Sequence, residues 1–176
     1  CESRWLDINE QDFPKPDTQQ EARERIFRIL CEVDPDCLIL HPGPPLGQFD
    51  YHEHHWIASS LPYAESYSAS NPNYARPLGL KEMHGIPVVY HMCPIGTPIV
   101  PNRYVDISAQ LERKLEAAAC YRSQLAFLEK QHKAHFVELH RAQSVVFGSY
   151  CGADAAEGFC TSPAWNRLVA EGTLPE

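Results

Sequence analysis

Hydrophobic and polar positions at the start of the chain predict a helix followed by a strand. Over residues 19–33 the apolar positions recur at helical spacing, and Asp17 or Thr18 is expected to cap the helix. The segment Asp34-Pro35-Asp36 ends it, because proline disfavours helical backbone in the residue before it. The short apolar run 37–40 then predicts a strand buried on both faces, as in a parallel sheet.

The rest of the chain continues the alternation of helical and strand-like patterns. A helix is predicted from His52, and Pro62 should kink or end it. The next predicted elements are a strand over 86–90 and a segment 104–108 that leads into a long helix over 109–140. A short strand over 155–159 follows, as a candidate for an edge of the sheet. Such alternation is typical of an α/β fold, with a mostly parallel sheet and flanking helices. The 176 residues show no obvious internal boundary, so the chain is predicted to be a single domain, 1–176.

Composition and charge exclude several classes of protein. Hydrophobic residues make up 44% and charged residues 22%, which argues against wholesale disorder. The net charge of −8 disfavours nucleic acid as a partner, because an acidic surface repels phosphates. No apolar run approaches the roughly 20 residues of a membrane span. The seven cysteines form no CxxC pair and no leader opens the chain, so free, buried thiols and a cytoplasmic location are expected.

The densest chemical feature is the histidine motif, Asp50-Tyr51-His52-Glu53-His54-His55. It lies where a loop leaves a predicted strand and enters a helix, and ligands bind at this edge of open α/β sheets. His52 and His55 are three residues apart and would share a helical face, which suits a metal ligand beside a histidine that acts on a substrate. Trp56 occupies the fifth position of the motif that begins at His52, which excludes the zincin motif HExxH. A chance surface cluster remains the alternative.

The other histidines are open to two interpretations. His132, His135 and His140 fall in the predicted long helix, as either a metal site or part of a solvated face. His41 and His91 each end a predicted strand, and they either face the same cleft or have a structural role.

The order of motifs resembles that of the PIG-L / LmbE-like zinc-dependent N-deacetylases. The histidine motif is similar to the D-Y-H-x-D-H segment of one bacterial branch. The family-like segments that follow in the same order are Pro87-Val88-Val89-Tyr90, Tyr104-Val105-Asp106-Ile107-Ser108, Lys114 with Ser123-Gln124, and Ala156-Glu157-Gly158-Phe159. The resemblance runs from about residue 19 to residue 159.

This resemblance implies a Rossmann-like fold and removal of an acetyl group from an N-acetylated amino sugar or related amide. His55 would be a zinc ligand, and His52 the protonated histidine that stabilises the tetrahedral oxyanion and assists the leaving amine. Asp50 and Tyr51 would shape the loop or contact the sugar. Zinc in such a site lowers the pKa of its bound water toward about 7 and polarises the substrate carbonyl.

Two departures from the family pattern change the expectation. His54 stands where the motif has an aspartate, and the family's His-Pro-Asp-Asp segment, which supplies two zinc ligands and the general base, does not occur in the chain. His41-Pro42 is followed by Gly43 instead of an acid. The chain is therefore expected to correspond to the carboxyl-terminal two-thirds of such an enzyme, without the amino-terminal part of the sheet and inactive alone. The expected partners are a small-molecule substrate and either the missing amino-terminal segment or further copies in a homo-oligomer.

Two alternatives to the enzyme remain. One is a non-catalytic truncated homologue that keeps the fold and binds a glycan in the remaining cleft. The other is a metal-sensing or storage module that uses His52, His54 and His55 with a thiol, although it lacks a defined tetrahedral ligand set.

Overall fold

A computed structural model of the chain describes residues 2–43 and 52–161, apart from the side chain of His132. Four strands form a sheet with helices beside it, which confirms the α/β class with flanking helices. The sheet is mixed and only partly parallel, because it contains a parallel and an antiparallel strand pair. The described residues form two compact units. The first contains the residues up to Met92 and also Thr161, and the second contains Cys93–Cys160. Within the described ranges, no helix has the length and apolar character needed to cross a membrane.

The first unit contains two strands and the helices that pack on them. Its elements are α1 (Pro16–Val33), β1 (Cys37–Leu40), α2 (Glu53–Ala69), α3 (Pro72–Ala75), a 3-10 turn (Arg76–Leu78) and β2 (Val88–Met92). β1 and β2 run parallel, in a register that pairs Leu40 with His91. The buried core side chains are Phe27, Leu30, Ala69, Ala75 and Met83 in one group and Ala22, Ile57 and Leu61 in the other.

The predicted end of α1 is confirmed and its predicted cap is wrong. The helix ends at Asp34, which takes a left-handed conformation and donates its backbone N–H to the carbonyl of Leu30. It begins at Pro16, after Lys15, with no side-chain cap from Asp17 or Thr18. Proline suits this first position because its φ is already helical and an N–H there would have no partner within the helix.

α2 continues through Pro62, so the helix does not end at this residue. Proline removes one hydrogen bond from the helix. Ile57 and Leu61, which precede Pro62 in α2, are buried with Ala22 of α1. Burial of such apolar side chains contributes about 1.5–3 kcal/mol each, enough to offset the lost bond.

β1 is buried on one face, so the prediction of two buried faces is wrong. Leu40 is buried and Leu38 packs against the core, whereas Ile39 is 59% exposed and Cys37 is also exposed. A short run of apolar residues gives no alternation, and the sequence pattern therefore cannot distinguish a strand covered on one face from one covered on both.

An aspartate–histidine contact links the end of α1 to the segment before β2. Asp34 Oδ1 accepts hydrogen bonds from the backbone N–H and the ring Nδ1–H of His84, both at 2.8 Å. These bonds, the backbone one first, hold the pKa of Asp34 below its ordinary value. A lowered carboxyl pKa contributes stability at neutral pH that is lost as the pH falls through the folded-state pKa.

We therefore expect Asp34→Asn to destabilise the protein at neutral pH, with the difference from wild type disappearing in acid below the lowered pKa. Asparagine tolerates the left-handed backbone, so the substitution chiefly removes the charge. Urea unfolding across a pH series measures the effect. Asp36→Asn is the matched control because Asp36 is 95% exposed and lies 3.4 Å from the other ring nitrogen of His84. Equal effects of the two substitutions at every pH would contradict the conclusion that the hydrogen bonds from His84 to Asp34 stabilise the protein.

The second unit contains an antiparallel strand pair and three helices. Its elements are β3 (Arg103–Asp106), a 3-10 turn (Ser108–Gln110), α4 (Leu111–Ala119), α5 (Arg122–His132), α6 (Phe136–Cys151) and β4 (Ala156–Thr161), apart from the last residue of β4. The prediction of a single helix over 109–140 is wrong. One helix ends at Ala119, and the next ends before Lys133, which takes a left-handed conformation. Neither break has a proline or glycine to mark it in the sequence. β4 is almost wholly buried, unlike an exposed edge strand.

Two cysteines of this unit form a buried thiol pair, whereas other thiols are exposed. The Sγ atoms of Cys93 and Cys160 lie 3.9 Å apart, and burial, followed by the neighbouring thiol, raises the pKa of Cys93 to about 12. All six described cysteines are free, and Cys37, Cys120 and Cys151 are exposed, so the expectation of buried thiols holds only in part.

The thiolate is the reactive form of cysteine, so Cys93 is expected to resist alkylation in the folded protein. The exposed thiols Cys37, Cys120 and Cys151 should be modified by iodoacetamide first. Peptide mass spectrometry after timed alkylation measures the order, and the same experiment in denaturant is the control. Modification of Cys93 as fast as Cys120 under native conditions would contradict the buried thiol pair.

Candidate functional site

Histidines gather at one edge of the parallel strand pair in the first unit. The carboxyl ends of β1 and β2 lie at the same edge because the two strands run in the same direction. His41 directly follows β1, and His91 lies near the end of β2. His52 is the residue before α2, and His55 lies in the first turn of that helix. The topology thus brings three separate chain segments together at this edge.

Three imidazoles form a contiguous group, here called the imidazole cluster: His41, His52 and His55. The ring centroids of His52 and His55 are 5.1 Å apart, and those of His41 and His55 are 4.5 Å apart. His52 and His55 are exposed, so a ligand in solvent can reach both. The structure therefore places side by side the two histidines for which the sequence predicts chemistry. Asp50 and Tyr51, the predicted substrate contacts, lie outside the described residues.

His54 does not join the imidazole cluster. Its Nε2–H donates to the carbonyl of Glu10 at 2.9 Å, and its ring stacks on Phe13. Residues two apart on a helix do not face each other, so His54 and His52 point in different directions. His54 thus anchors the segment before α1 to α2. In the described part of the chain, His52, His54 and His55 do not converge as a metal-storage module would require.

His41 and His91, which the sequence left open, take different places. The ring of His41 joins the imidazole cluster. His91 is 8% exposed, its Nδ1–H donates to the carbonyl of His41 at 3.2 Å, and its ring lies 6.0 Å from that of Tyr63. The only sequence signal for either residue is its position at the end of a predicted strand.

The described residues do not form a complete metal site. Among residues 2–43 and 52–161, no group of three His, Cys, Asp or Glu side chains is arranged to hold a metal ion. A catalytic zinc usually takes three protein ligands and leaves a position for water or substrate. His55 is a suitable donor, and a set of three would need at least one donor from outside the residues described.

The second histidine group is divided between two helices. His132 lies in α5, His135 precedes α6 and His140 lies within α6. His140 is half-buried with its ring edge-on to Phe136 at 4.7 Å, and burial, with Lys114 nearby, lowers its pKa. The prediction that these three histidines lie in one long helix is wrong, because α5 ends at His132 and Lys133 takes a left-handed conformation.

Comparison with known proteins finds similarity at the level of structure. No family model and no curated protein matches the chain. N,N'-diacetylchitobiose deacetylase from Pyrococcus horikoshii, solved with an inhibitor, matches with a TM-score of 0.69 and 23% identity, over 90% of this chain and 56% of that one. The chain has the fold of this deacetylase. The conserved protein TT1542 from Thermus thermophilus matches with a TM-score of 0.65 and 26% identity, over 86% of this chain and 61% of that one.

A third solved structure shows that the fold alone does not decide the reaction. GalB, the 4-carboxy-2-hydroxymuconate hydratase from Pseudomonas putida, matches with a TM-score of 0.62 and 19% identity, over 86% of this chain and 62% of that one. A deacetylase and a hydratase thus share the fold, and function has to be argued from the site. The chain spans less than two-thirds of the length of each of these three structures.

Proposed function

We propose that this chain carries part of the active site of a zinc-dependent hydrolase that removes an acetyl group from an N-acetylated amino sugar or related amide. The observation that carries the proposal is the exposed pair His52 and His55, with ring centroids 5.1 Å apart. This pair lies at the carboxyl edge of parallel strands, in a fold shared with a diacetylchitobiose deacetylase.

The proposed reaction needs a group that donates protons beside the scissile amide. Water adds to the carbonyl carbon, the C–N bond breaks, and the products are acetate and an amine whose nitrogen has taken up a proton. In this proposal, protonated His52 donates a hydrogen bond to the oxygen that becomes negative and then gives its proton to the leaving nitrogen. His52 lies at the start of α2, where the N–H groups of the first helical turn favour the negative charge that would develop on the substrate oxygen.

Zinc is the proposed cofactor, and His55 is its one proposed ligand among the described residues. Imidazole is a common zinc ligand, and His55 is exposed at the ligand-binding edge of the sheet. The co-ligands are proposed to lie on the amino-terminal segment expected from the sequence, or on a second copy of the chain. Asp50 and Tyr51 are the proposed contacts to the sugar.

Acetate release by the full-length protein tests the proposed function. We expect release from N-acetylglucosamine or N,N'-diacetylchitobiose, loss of activity on dialysis against a chelator, and recovery with zinc. Glucosamine, which carries no acetyl group, is the control substrate and should release no acetate. Absence of acetate release from every N-acetylated amine, with zinc present at saturation, would contradict the enzyme assignment.

A second candidate is a non-catalytic relative that binds a glycan. The position of His54 favours it, because the residue that replaces the motif's aspartate contacts Glu10 and Phe13 instead of the imidazole cluster. This candidate predicts that N,N'-diacetylchitobiose shifts the NMR signals of His52 and His55 and that no acetate forms over hours.

A further inference from the structure

The carbonyl of His41 accepts two hydrogen bonds from buried side chains. Ser59 Oγ–H of α2 donates to it at 2.5 Å, and His91 Nδ1–H of β2 donates at 3.2 Å. Ser59 is 1% exposed and His91 is 8% exposed. A carbonyl oxygen has two lone pairs, so these two donors saturate it. One atom at the end of β1 is thereby tied to both a helix and the neighbouring strand.

The residues after His41 pass close against the same helix. Pro42 is fully buried, and a Cβ atom at Gly43 would lie 3.2 Å from Ser59 Oγ. That distance is tighter than most Cβ contacts, so the absence of a side chain at Gly43 permits the approach. The segment that follows β1 is therefore held at two points: at the His41 carbonyl by hydrogen bonds, and at Gly43 by close packing against Ser59.

The His41 ring extends from this anchored peptide and lies beside His55. Its centroid is 4.5 Å from that of His55, and its Nδ1 lies 3.3 Å from the carbonyl of Pro42. The ring thus lies against the first turn of α2, where His55 is placed. Because a carbonyl can only accept, His91 must carry a proton on Nδ1 in order to hold His41 in this way.

We propose that Ser59 and His91 are positioning residues of the candidate site. By holding the carbonyl of His41, they keep the His41 imidazole against His55 and so fix the orientation of the His55 ring. Groups outside a reactive centre commonly act in this manner, and misplacement by about 1 Å can lower a rate about 100-fold. The catalytic consequence rests on the proposed function, whereas the structural arrangement does not.

NMR of the full-length protein labelled in histidine tests the arrangement without any assay of activity. In the wild type we expect His91 to be protonated at Nδ1 and a nuclear Overhauser effect between the ring protons of His41 and His55. Ser59→Ala and His91→Leu should each abolish that effect. His91→Asn should retain it, since its amide N–H can replace Nδ1–H. The proposal would be overturned if His91 in the wild type is protonated only at Nε2. It would also be overturned if the nuclear Overhauser effect is unchanged in both Ser59→Ala and His91→Leu.

Ser66→Ala is the matched control, because Ser66 is a buried serine of the same helix whose hydroxyl donates to the carbonyl of Tyr63. It should leave the His41–His55 effect and the rate of acetate release unchanged. Ser59→Ala should lower kcat about 10-fold to 100-fold with KM within about twofold. Loss of the ring contact without loss of kcat would overturn the positioning role. An inactive wild-type protein would contradict the proposed function, and the NMR result would then decide the structural arrangement alone.

Discussion

Replacing His55 with alanine is expected to remove zinc and activity together from the full-length protein. His55 is the proposed zinc ligand, and a catalytic zinc with three protein ligands does not retain useful affinity after the loss of one. His52→Ala should instead retain zinc and lower turnover about 100-fold to 10,000-fold, the usual contribution of a general acid. Elemental analysis of the purified variants and acetate release measure the two effects separately.

His54→Ala is the matched control for this pair of variants. His54 belongs to the same motif, but it contacts Glu10 and Phe13 away from the other two rings. Both zinc content and turnover should remain close to wild type in this variant. Equal zinc loss in the His52 and His55 variants would contradict the proposed division of roles, and zinc loss in His54→Ala would contradict the geometry of the motif.

Gly148→Ala is expected to destabilise the second unit substantially. A Cβ atom at Gly148 would lie 2.5 Å from the carbonyl oxygen of Ala153 and 2.8 Å from the backbone nitrogen of Ala155. These are backbone atoms, so relief requires movement of the segment that leads into β4. Overpacking of this kind costs about 1–3 kcal/mol or more, whereas the gain in helix propensity is about 1 kcal/mol. At the upper end of that cost, the free energy of unfolding falls by a net of about 2 kcal/mol.

Gly85→Ala is the control for this substitution. Nothing lies within 4 Å of a Cβ atom at Gly85, so its stability should stay near wild type. Urea unfolding of the two variants, followed by circular dichroism, measures the difference. A Gly148→Ala variant as stable as Gly85→Ala would contradict the close packing of α6 on the segment before β4.

The elements that the sequence predicts well are those with strong local signals. The end of α1 follows from a proline that disfavours helix at Asp34, and β1 follows from a short apolar run between breakers. The breaks after Ala119 and at Lys133 have no such signal, since a continued apolar stripe looks the same whether the helix runs on or turns back. Tertiary packing decides between these possibilities, and the spacing of apolar residues along the chain carries no information about that packing.

The candidate site shows the same limit. The three-residue spacing of His52 and His55 predicts that their rings lie close together, and they do, with His52 at the residue before α2. The contact of His41 with His55 and the two bonds to the His41 carbonyl join β1, α2 and β2. Such contacts depend on how the elements pack, and the sequence therefore indicates no more than that both strands end in histidine.

The most direct test of the central claim is the location of the metal. A crystal structure of the full-length protein grown with zinc, with anomalous data at the zinc edge, should show a peak about 2.0–2.1 Å from a ring nitrogen of His55, with His52 beside it and not bound to the ion. A zinc-loaded protein whose anomalous peak lies away from His55 would contradict the account.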